Sequence, residues 1–424
     1  MKDMFESGGF RVNSRPLNGV KVIDLSSVIM GPYATQILGD LGADVVGVEA
    51  FAGNSVRRLS RGPHPEFSGI ALNVLRNKRS LCIDLKSPEG SDVLARLVAS
   101  ADILVTNLRP APLRRLGMTY DVAQELNDRI IFCQATGFPS DSDEADAPAY
   151  DDVIQAASGM AGAHTLTYGA PTLPPTLVAD KVTAYHIVAP VLAALFDRER
   201  TGRGQYITVS MIEALTGFMM LEHGADAIAE PPQGPPGYPR SLTVHRGPVE
   251  TADGWYAVLP YTPLQFQQVF LEFDRIDLAN DPRAHFGQQT VPAESFAFLY
   301  GNLRQLATQR TTAEWIAICE HYQIPHGPVR SLQEVVETLP LTEHENLGRY
   351  RVTPTGYRTG TSSSCPVWRS APFLGQDTRR VLQELGFDKN TVKDWLQRGV
   401  AFAAEVNSGP EAPGRGSPCQ RNAS

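Results

Sequence analysis

The chain has 424 residues, 42% hydrophobic and 20% charged, with a formal net charge of -8. This length exceeds what a single core usually fills, so we expect two domains or one elaborated domain. The charge is spread along the chain and is not gathered in a tail, whereas nucleic-acid binders usually present a concentrated basic face. This argues against nucleic acid as a partner and still allows an anionic ligand at a local basic site.

The first 140 residues alternate between short β-branched runs and helical segments. Strands are predicted at residues 21–28, 44–50, 79–85, 102–107 and 129–137, with helices at residues 31–43, 87–100 and 119–126. The sequence Ser87-Pro88-Glu89 offers a helix cap, a proline at the first helical position and an early acid. The alternation predicts a doubly wound α/β fold with a parallel sheet.

After residue 138 the regular alternation of strands and helices ends. A polar loop at residues 139–148 precedes predicted helices at residues 150–162 and 180–198, a strand at 204–211 and a helix ending near residue 229. The Pro/Gly-rich stretch at residues 230–241 predicts an interdomain linker. Asp253-Gly254 between two apolar runs predicts a hairpin. Further helices are predicted at residues 262–274, 293–308, 312–322, 330–339, 378–386 and 389–398, and residues 401–424 are predicted to be disordered.

Cysteine usage and apolar runs point to the cytoplasm. The five cysteines have no C-x-x-C spacing, which indicates reduced thiols: Cys82, Cys133, Cys319, Cys365 and Cys419. Cys82 and Cys133 lie in strand-like runs, where we expect buried, inert thiols. No apolar run approaches the roughly 18 residues of a membrane span. The first sixteen residues form a loose leader without the apolar core of a secretory signal. We expect a cytoplasmic protein with no membrane partner.

Several common catalytic motifs are absent from the sequence. The turn after the first strand, at residues 26–32, lacks the G-x-G-x-x-G pattern, which argues against a dinucleotide site. A P-loop and the G-x-S-x-G elbow of serine hydrolases are also absent. The nine histidines show no H-x-x-x-H spacing, so no metal site is predicted.

Two basic clusters are candidates for anion binding. One is the run Arg-Asn-Lys-Arg at residues 76–79, followed by Lys86, and the other joins residues 107–110 to Arg114 and Arg115. We place both near the ends of neighbouring parallel strands, where open α/β sheets hold ligands. Arginine forks and helix amides suit phosphate oxygens. Solvated surface charges are the alternative interpretation.

Asp180 is a third candidate, because it opens a long apolar helix. A carboxylate there can cap the helix. The helix dipole would also keep it ionised, which suits a covalent nucleophile. The local pattern leaves both roles open.

A family resemblance rests on six segments in a fixed order: residues 16–49, 77–90, 101–118, 149–160, 191–214 and 324–335. Over about residues 16–400 the chain resembles the class III CoA-transferase family, which includes formyl-CoA:oxalate and carnitine CoA-transferases and α-methylacyl-CoA racemase. The resemblance implies a Rossmann-like large domain built from both chain ends, an inserted smaller α+β domain and a homodimer of interlocked chains. The implied boundaries are 16–229 and 330–400 for the large domain, 230–245 for the linker and 246–329 for the small domain.

The resemblance also implies a site. Asp180 falls on the family's catalytic aspartate, with Tyr150 and Asp151 lining the thioester end, and backbone amides near Met30 and Gly31 are candidates to stabilise oxyanions. The implied coenzyme A contacts are Met30, Ile83, Asp84, Leu85, Lys86, Asn107, Leu108, Arg109 and Arg115. The implied substrates are an acyl-CoA and a small carboxylic acid, without a metal.

The implied reaction is a CoA transfer of the EC 2.8.3 type through an aspartyl anhydride and an aspartyl-CoA thioester. A racemase of the same family would need a histidine where this chain has Tyr150, whose phenol is a poor base at neutral pH. His164 and His186 could replace it only in an arrangement that the resemblance does not imply. A non-catalytic acyl-CoA-binding protein is the alternative from another class.

Three departures from the formyl transferases concern the acyl pocket. Ile29 stands where they carry a glutamine, and Ala50 where they carry an arginine. LPYTPLQ at residues 259–265 replaces their glycine-rich loop. We therefore expect a larger or more apolar acid than formate or oxalate.

Overall fold

The computed structural model describes residues 15–357 and 367–405. Predictions for the leader before residue 15, for Cys365 and Cys419, and for residues 406–424 lie outside the described residues.

The chain alternates strands and helices up to residue 223. These elements are β1 (Lys21–Leu25), α1 (Met30–Asp40), β2 (Asp44–Glu49), α2 (Gly69–Val74), β3 (Lys78–Ile83), α3 (Pro88–Ser100), β4 (Ile103–Thr106), α4 (Pro110–Leu116), α5 (Tyr120–Leu126), β5 (Ile131–Thr136), α6 (Asp151–Ala157), α7 (Met160–Tyr168), α8 (Val178–Thr201), β6 (Gln205–Ser210) and α9 (Met211–His223). The later elements are α10 (Pro239–Leu242), β7 (Val249–Thr251), β8 (Gly254–Val258), α11 (Pro263–Glu272), α12 (Ile276–Ala279), α13 (Phe296–Ala307), α14 (Thr312–His321), β9 (His326–Pro328), α15 (Leu332–Thr338), β10 (Leu341–His344), β11 (Gly348–Arg351), α16 (Thr378–Glu384), α17 (Lys389–Gln397) and β12 (Ala401–Phe402).

The chain divides into two compact units. The first combines the described parts of Met1–Ile154, Thr176–Leu215 and Thr338–Ser424, and the second combines Gln155–Pro175 with Thr216–Glu337. The second unit thus includes residues that the sequence placed with the large domain. The domain boundaries given above stay a prediction.

A seven-stranded sheet forms the centre of the first unit. Its strand order is β12-β3-β2-β1-β4-β5-β6, with β1 to β6 parallel to one another. Six strands in the order 3-2-1-4-5-6 are the arrangement of a doubly wound sheet. The predicted α/β class with a large, mainly parallel sheet is confirmed.

The seventh strand, β12, corrects one prediction. The sequence predicts Ala401 and Phe402 to lie in a disordered tail, but they pair antiparallel with Ile83 and Cys82 of β3. The start of α16 covers the rest of this edge, since the Ser80 and Cys82 N–H groups donate to Asp377 Oδ2 and Thr378 Oγ1. Edge pairing of this kind depends on a distant strand and has no local sequence signal.

Helix α3 forms where the local sequence predicts it. Ser87 caps the helix by accepting a hydrogen bond from the Gly90 N–H, and Pro88 occupies the first helical position. The inner face of α3 buries Val93, Leu94 and Leu97 in the core beside the sheet. The thiols of Cys82 and Cys133 are also buried and free, as expected.

Helix α8 packs against α1 and along β5 and β6 of the first unit. By length and composition alone α8 could cross a membrane, and 44% of its most apolar stretch is buried. This stretch is not evident from the sequence, because charged residues near both ends of the helix interrupt the apolar run. One such helix is weak support for a membrane span, since core helices pass the same test.

The second unit has its own core. Strands β7, β8 and β9 form an antiparallel sheet, and β7 and β8 meet at the predicted hairpin of Asp253 and Gly254. Phe266, Phe270 and Trp315 are fully buried among the helices of this unit.

Candidate active site

The site begins where two central strands end. β1 and β4 are parallel neighbours, so the segments that leave their carboxyl ends lie side by side. Asn107, just after β4, accepts a hydrogen bond from the Ser27 N–H at 3.0 Å and donates one to the Ser27 C=O at 2.8 Å. The strand order reverses at this point, which is where doubly wound folds usually hold their ligands.

Asp180 lies at this edge of the first unit. It belongs to the first turn of α8 and is only 9% exposed. The N-cap of α8 is Leu177, so Asp180 is not the capping residue of its own helix. Its carboxylate instead faces the backbone N–H of Met30, the first residue of α1, which acts to lower the pKa of the carboxyl. The carboxylate therefore lies at the positive end of a second helix, where an anion is favoured.

The environment of Asp180 shifts its ionisation. Burial first, and then the charge of Asp151, raise the pKa of the Asp180 carboxyl to about 6, while the Met30 N–H and the charge of Lys181 act in the opposite direction. The carboxyl is therefore ionised at neutral pH although it is largely desolvated. A poorly hydrated carboxylate with a raised pKa is suited to nucleophilic attack.

Asp151 is the residue that joins α6 to α8. It is 4% exposed, and its Oδ1 accepts a hydrogen bond from the Asp180 N–H at 2.9 Å. Asp151 thus satisfies a backbone amide at the open end of α8 that no residue of that helix caps. Tyr150, one residue earlier, is 69% exposed.

The predicted coenzyme A contacts lie at two places on the sheet edge. Asp84, Leu85 and Lys86 follow β3, and Lys86 is exposed. Arg109, after β4, donates to the Asp146 C=O at 2.5 Å, and Arg115 is exposed on α4. The remaining predicted contacts, Ile83 and Leu108, are buried and half-buried. The structure thus brings Met30, Asp151 and Asp180 together, with Asn107 beside the same turn.

The basic run at residues 76–79 is neither a phosphate site nor a solvated surface, so both interpretations of it are wrong. Its charged side chains are buried and paired with carboxylates: Arg76 with Asp40 at 2.7 Å, Lys78 with Asp24 at 2.8 Å, and Arg79 with Asp44 at 2.6 Å. The run lies at the amino end of β3, away from the ligand edge. The strands of the two basic clusters are also not neighbours, because β2 and β1 separate β3 from β4.

Sequence reasoning missed the groups that support the turn after β1. Asn54 contacts this turn through its side-chain amide. Lys78 reaches the Pro32 C=O in the first turn of α1 at 2.7 Å and the Thr35 hydroxyl at 2.8 Å. Both contacts join segments far apart in the chain, and no local pattern predicts them. Among the described residues no group of three or more His, Cys, Asp or Glu is placed to hold a metal ion.

The first unit is thus a doubly wound α/β fold with a buried carboxylate at the edge where such folds usually hold ligands. The chain matches the sequence profile of CoA-transferase family III over residues 17–378 and belongs to this family. It is therefore a family III CoA-transferase, and family membership implies CoA thioesters as substrates.

Curated relatives span nearly the whole chain. Formyl-CoA:oxalate CoA-transferases of Escherichia coli O157:H7 (strain EC4115 / EHEC) and of Shigella dysenteriae serotype 1 (strain Sd197) are each 29% identical to it over 408 residues. The matches cover 89% of this chain and 98% of theirs.

Solved structures share the fold. A crystal structure of an aspartate-to-alanine mutant of Rv3272 from Mycobacterium tuberculosis matches with a TM-score of 0.73 and 25% identity, covering 86% of this chain and 98% of that one. A CAIB/BAIF family protein from Brucella suis matches with a TM-score of 0.73 and 24% identity, covering 88% of this chain and 100% of that one.

Proposed function

We propose that this enzyme moves coenzyme A from an acyl-CoA donor to a carboxylic acid acceptor through covalent intermediates on Asp180. The observation that carries the proposal is the buried Asp180 carboxylate with a raised pKa, held against the Met30 N–H in a family III chain. Asp151 places a negative charge beside Asp180. Tyr150 immediately precedes α6 and is exposed, where the thioester would enter.

The first half of the reaction loads the enzyme. An oxygen of the Asp180 carboxylate attacks the thioester carbonyl, the C–S bond breaks, and the CoA thiolate leaves a mixed anhydride. The thiolate then attacks the Asp180 carbonyl carbon, the anhydride C–O bond breaks, and the donor acid departs as a carboxylate. The Met30 N–H is placed to donate to the oxyanion that forms on Asp180.

The second half reverses these steps with the acceptor. The acceptor carboxylate attacks the Asp180 thioester and releases the thiolate, which gives a second anhydride. The thiolate attacks the acceptor carbonyl, and Asp180 is regenerated as a carboxylate. Each step exchanges one anion for another, so no proton has to be supplied. Water has to be excluded, since an anhydride hydrolyses readily.

We propose that coenzyme A contacts the segments after β3 and β4. Lys86 and Arg115 are exposed cations near these strand ends, and Arg109 lies in the same segment as Asn107. Cations of this kind suit the phosphates of coenzyme A.

We propose an acceptor acid larger or more apolar than formate or oxalate. Ile29, which replaces a glutamine of the formyl transferases, is buried in an apolar cluster with Val56 and Leu72. Ala50, which replaces their arginine, is exposed and supplies no charge for a small dianion.

We also propose the assembly and location that the family resemblance implies: a large domain from both chain ends, an inserted small domain and an interlocked homodimer in the cytoplasm. The pairing of β12 with β3 supports the first point, since it joins the C-terminal segment to the N-terminal part of the sheet.

The experiment uses carboxylic acids labelled with oxygen-18 in both carboxyl oxygens. Purified enzyme is mixed with a panel of acyl-CoAs and labelled acids in deuterated water. The masses of all CoA esters are then measured by mass spectrometry. The mechanism predicts new CoA esters of the labelled acids. It also leaves one acceptor oxygen on Asp180 per turnover, so the peptide that contains Asp180 should gain oxygen-18.

The matched variants are Asp180→Asn, which should abolish transfer, and Asp152→Asn, an exposed carboxylate of α6 that should keep it. New esters without label on Asp180 would contradict the anhydride. Deuterium at the α-carbon without new esters would show that the enzyme is a racemase and would overturn the proposed transferase activity. Binding of acyl-CoA with no change in any ester would indicate a non-catalytic acyl-CoA-binding protein.

A further inference from the structure

The turn between β1 and α1 contains a strained residue. Val28 has a φ of 68°, which is the left-handed region. Among the described non-glycine residues with positive φ it is the one with a β-branched side chain. Such a conformation is strained for a β-branched residue and persists only where surrounding contacts impose it.

The contacts that impose it come from Asn54. Its Nδ2 donates to the Ser26 C=O at 3.0 Å, and its Oδ1 accepts from the Val28 N–H at 3.2 Å. One amide thus bridges the residues on both sides of Ser27. Asn107 holds Ser27 itself from the other side of the turn.

Asn54 is itself held rigidly. Its side chain is buried, and its backbone N–H donates to the Glu49 carboxylate at 2.8 Å. Glu49 forms a two-pronged ion pair with Arg57, through contacts of 2.7 and 2.8 Å. Asn54 is therefore anchored to the end of β2. Its side-chain amide keeps its position even if the turn between β1 and α1 relaxes.

We propose that Asn54 is a positioning residue, whose amide holds Val28 in the left-handed conformation so that the Met30 N–H faces the Asp180 carboxylate. This inference rests on the proposed role of Asp180. Relaxation of Val28 to an ordinary negative φ would rotate the peptide groups that follow it. The Met30 N–H, two residues later, would then turn away from Asp180.

Loss of that N–H affects the rate and its dependence on pH. The groups that face Asp180 are Asp151, which raises its pKa, and Lys181 and the Met30 N–H, which lower it. Without the N–H the pKa of Asp180 rises, so a larger fraction of the enzyme is protonated and inactive below neutral pH. The oxyanion also loses a donor, an effect of roughly 100-fold on kcat in other enzymes.

The test compares Asn54→Ala with Asn127→Ala. Asn127 is a matched control, because its amide also braces a turn of the first unit, by donating to Val98 C=O and Ala101 C=O at 3.0 and 2.8 Å. We expect Asn54→Ala to lower kcat by roughly 10- to 100-fold and to move the acid limb of kcat/KM to higher pH. Asn127→Ala should keep kcat within about twofold and leave the acid limb in place.

A second substitution tests the strain. Glycine occupies positive φ without penalty, so Val28→Gly added to Asn54→Ala removes the need for the bridge. This double variant should recover roughly tenfold in kcat over Asn54→Ala. If it recovers nothing, or if Asn54→Ala retains the parent kcat and acid limb, the inference is wrong.

Hydrogen exchange gives a readout that does not depend on turnover. In Asn54→Ala the peptide covering residues 26–33 should exchange faster than in the parent, and Asn127→Ala should not change it. Unchanged exchange there would overturn the inference even if Asp180 proves catalytic. Transfer by Asp180→Asn would overturn the proposed function and the kinetic effects expected from it, whereas faster exchange in Asn54→Ala would still support the bracing of the turn by Asn54. If Asn54→Ala does not fold, Asn54→Ser supplies the same comparisons.

Discussion

At the scale of single residues, Asp180 combines two opposed influences. Burial and the charge of Asp151 raise its pKa to about 6, and a helix amide keeps it ionised above that pH. A carboxylate in water is a weak nucleophile because hydration stabilises the anion. Removing that hydration makes the anion more reactive, while the Met30 N–H still favours the ionised form.

The first prediction concerns pH and Asp151. Activity should rise with pH through the pKa of Asp180, near pH 6. Asp151→Asn removes a negative charge that raises this pKa, yet it keeps a side-chain oxygen for the Asp180 N–H. The acid limb of kcat/KM should therefore move to lower pH. Asp152→Asn is the control, and an acid limb that moves equally in both variants would contradict the assignment.

The second prediction concerns the stability cost of the raised pKa. The carboxyl ionises near pH 3.8 when unfolded and near pH 6 when folded, so folding favours its protonated form. The penalty is absent below about pH 4, grows as pH rises, and is complete above about pH 6, where it reaches up to about 3 kcal/mol. Asp180→Asn, which is neutral at every pH, should stabilise the fold above pH 6.

Urea unfolding at two pH values measures this effect. The free energy of unfolding of Asp180→Asn should exceed that of the parent at pH 7.5, and the difference should shrink toward zero near pH 4. A variant that is less stable than the parent at pH 7.5 would mean that the Met30 contact outweighs the cost of burial.

At the scale of elements, the start of β3 shows why a basic run can be structural. Lys78 is fully buried and donates to Asp24, Thr35 and the Pro32 C=O. It therefore joins β3 to β1 and to the first turn of α1. Burial lowers the pKa of Lys78, and the charge of Asp24 opposes that shift.

The third prediction tests this pair. Lys78→Met keeps the volume of the side chain and leaves Asp24 buried without its cation, which should cost about 3–5 kcal/mol in the free energy of unfolding. Adding Asp24→Asn removes the uncompensated charge and should recover a large part of that loss. Lys393→Met, on the exposed side of α17, should change stability by less than about 0.5 kcal/mol. A double variant as unstable as Lys78→Met would show that charge pairing is not the cause.

These elements also show where sequence reasoning succeeds. α3 was predictable because its cap, its proline and its apolar face all lie within thirteen residues. The burial of the run at residues 76–79 was not, because Asp24 lies 54 positions before Lys78 and Glu384 lies 305 positions after Arg79. Strand β12 was missed for the same reason.

At the scale of the whole molecule, the strand order decides which predicted residues meet. β1 and β4 are neighbours, so Asn107 reaches Ser27 across 80 positions of the chain. β3 is separated from β4 by two strands, so the two segments proposed to bind coenzyme A approach it from different parts of the same edge. Alternating strands and helices predicted the sheet, but this order follows only from the fold.

The outer face of α8 supports the proposed homodimer. Tyr185 and Phe196 are 53% and 70% exposed, and Ala189 and Ala193 lie exposed between them. These positions are four, four and three residues apart, so they form one apolar stripe along the helix. Exposed apolar stripes of this kind usually mark a contact with another chain.

The fourth prediction follows from that stripe. A charge at its centre would have to be buried in a homodimer, and a twofold interface would bury it twice, so Phe196→Asp should shift the enzyme from dimer to monomer. Sedimentation velocity of the parent and the variant over a range of concentrations measures the shift. Val122→Asp, at an exposed apolar position on α5, is the control and should sediment like the parent. If the parent enzyme sediments as a monomer, the proposed homodimer is wrong. If the parent is a dimer that Phe196→Asp does not affect, the interface lies elsewhere on the chain.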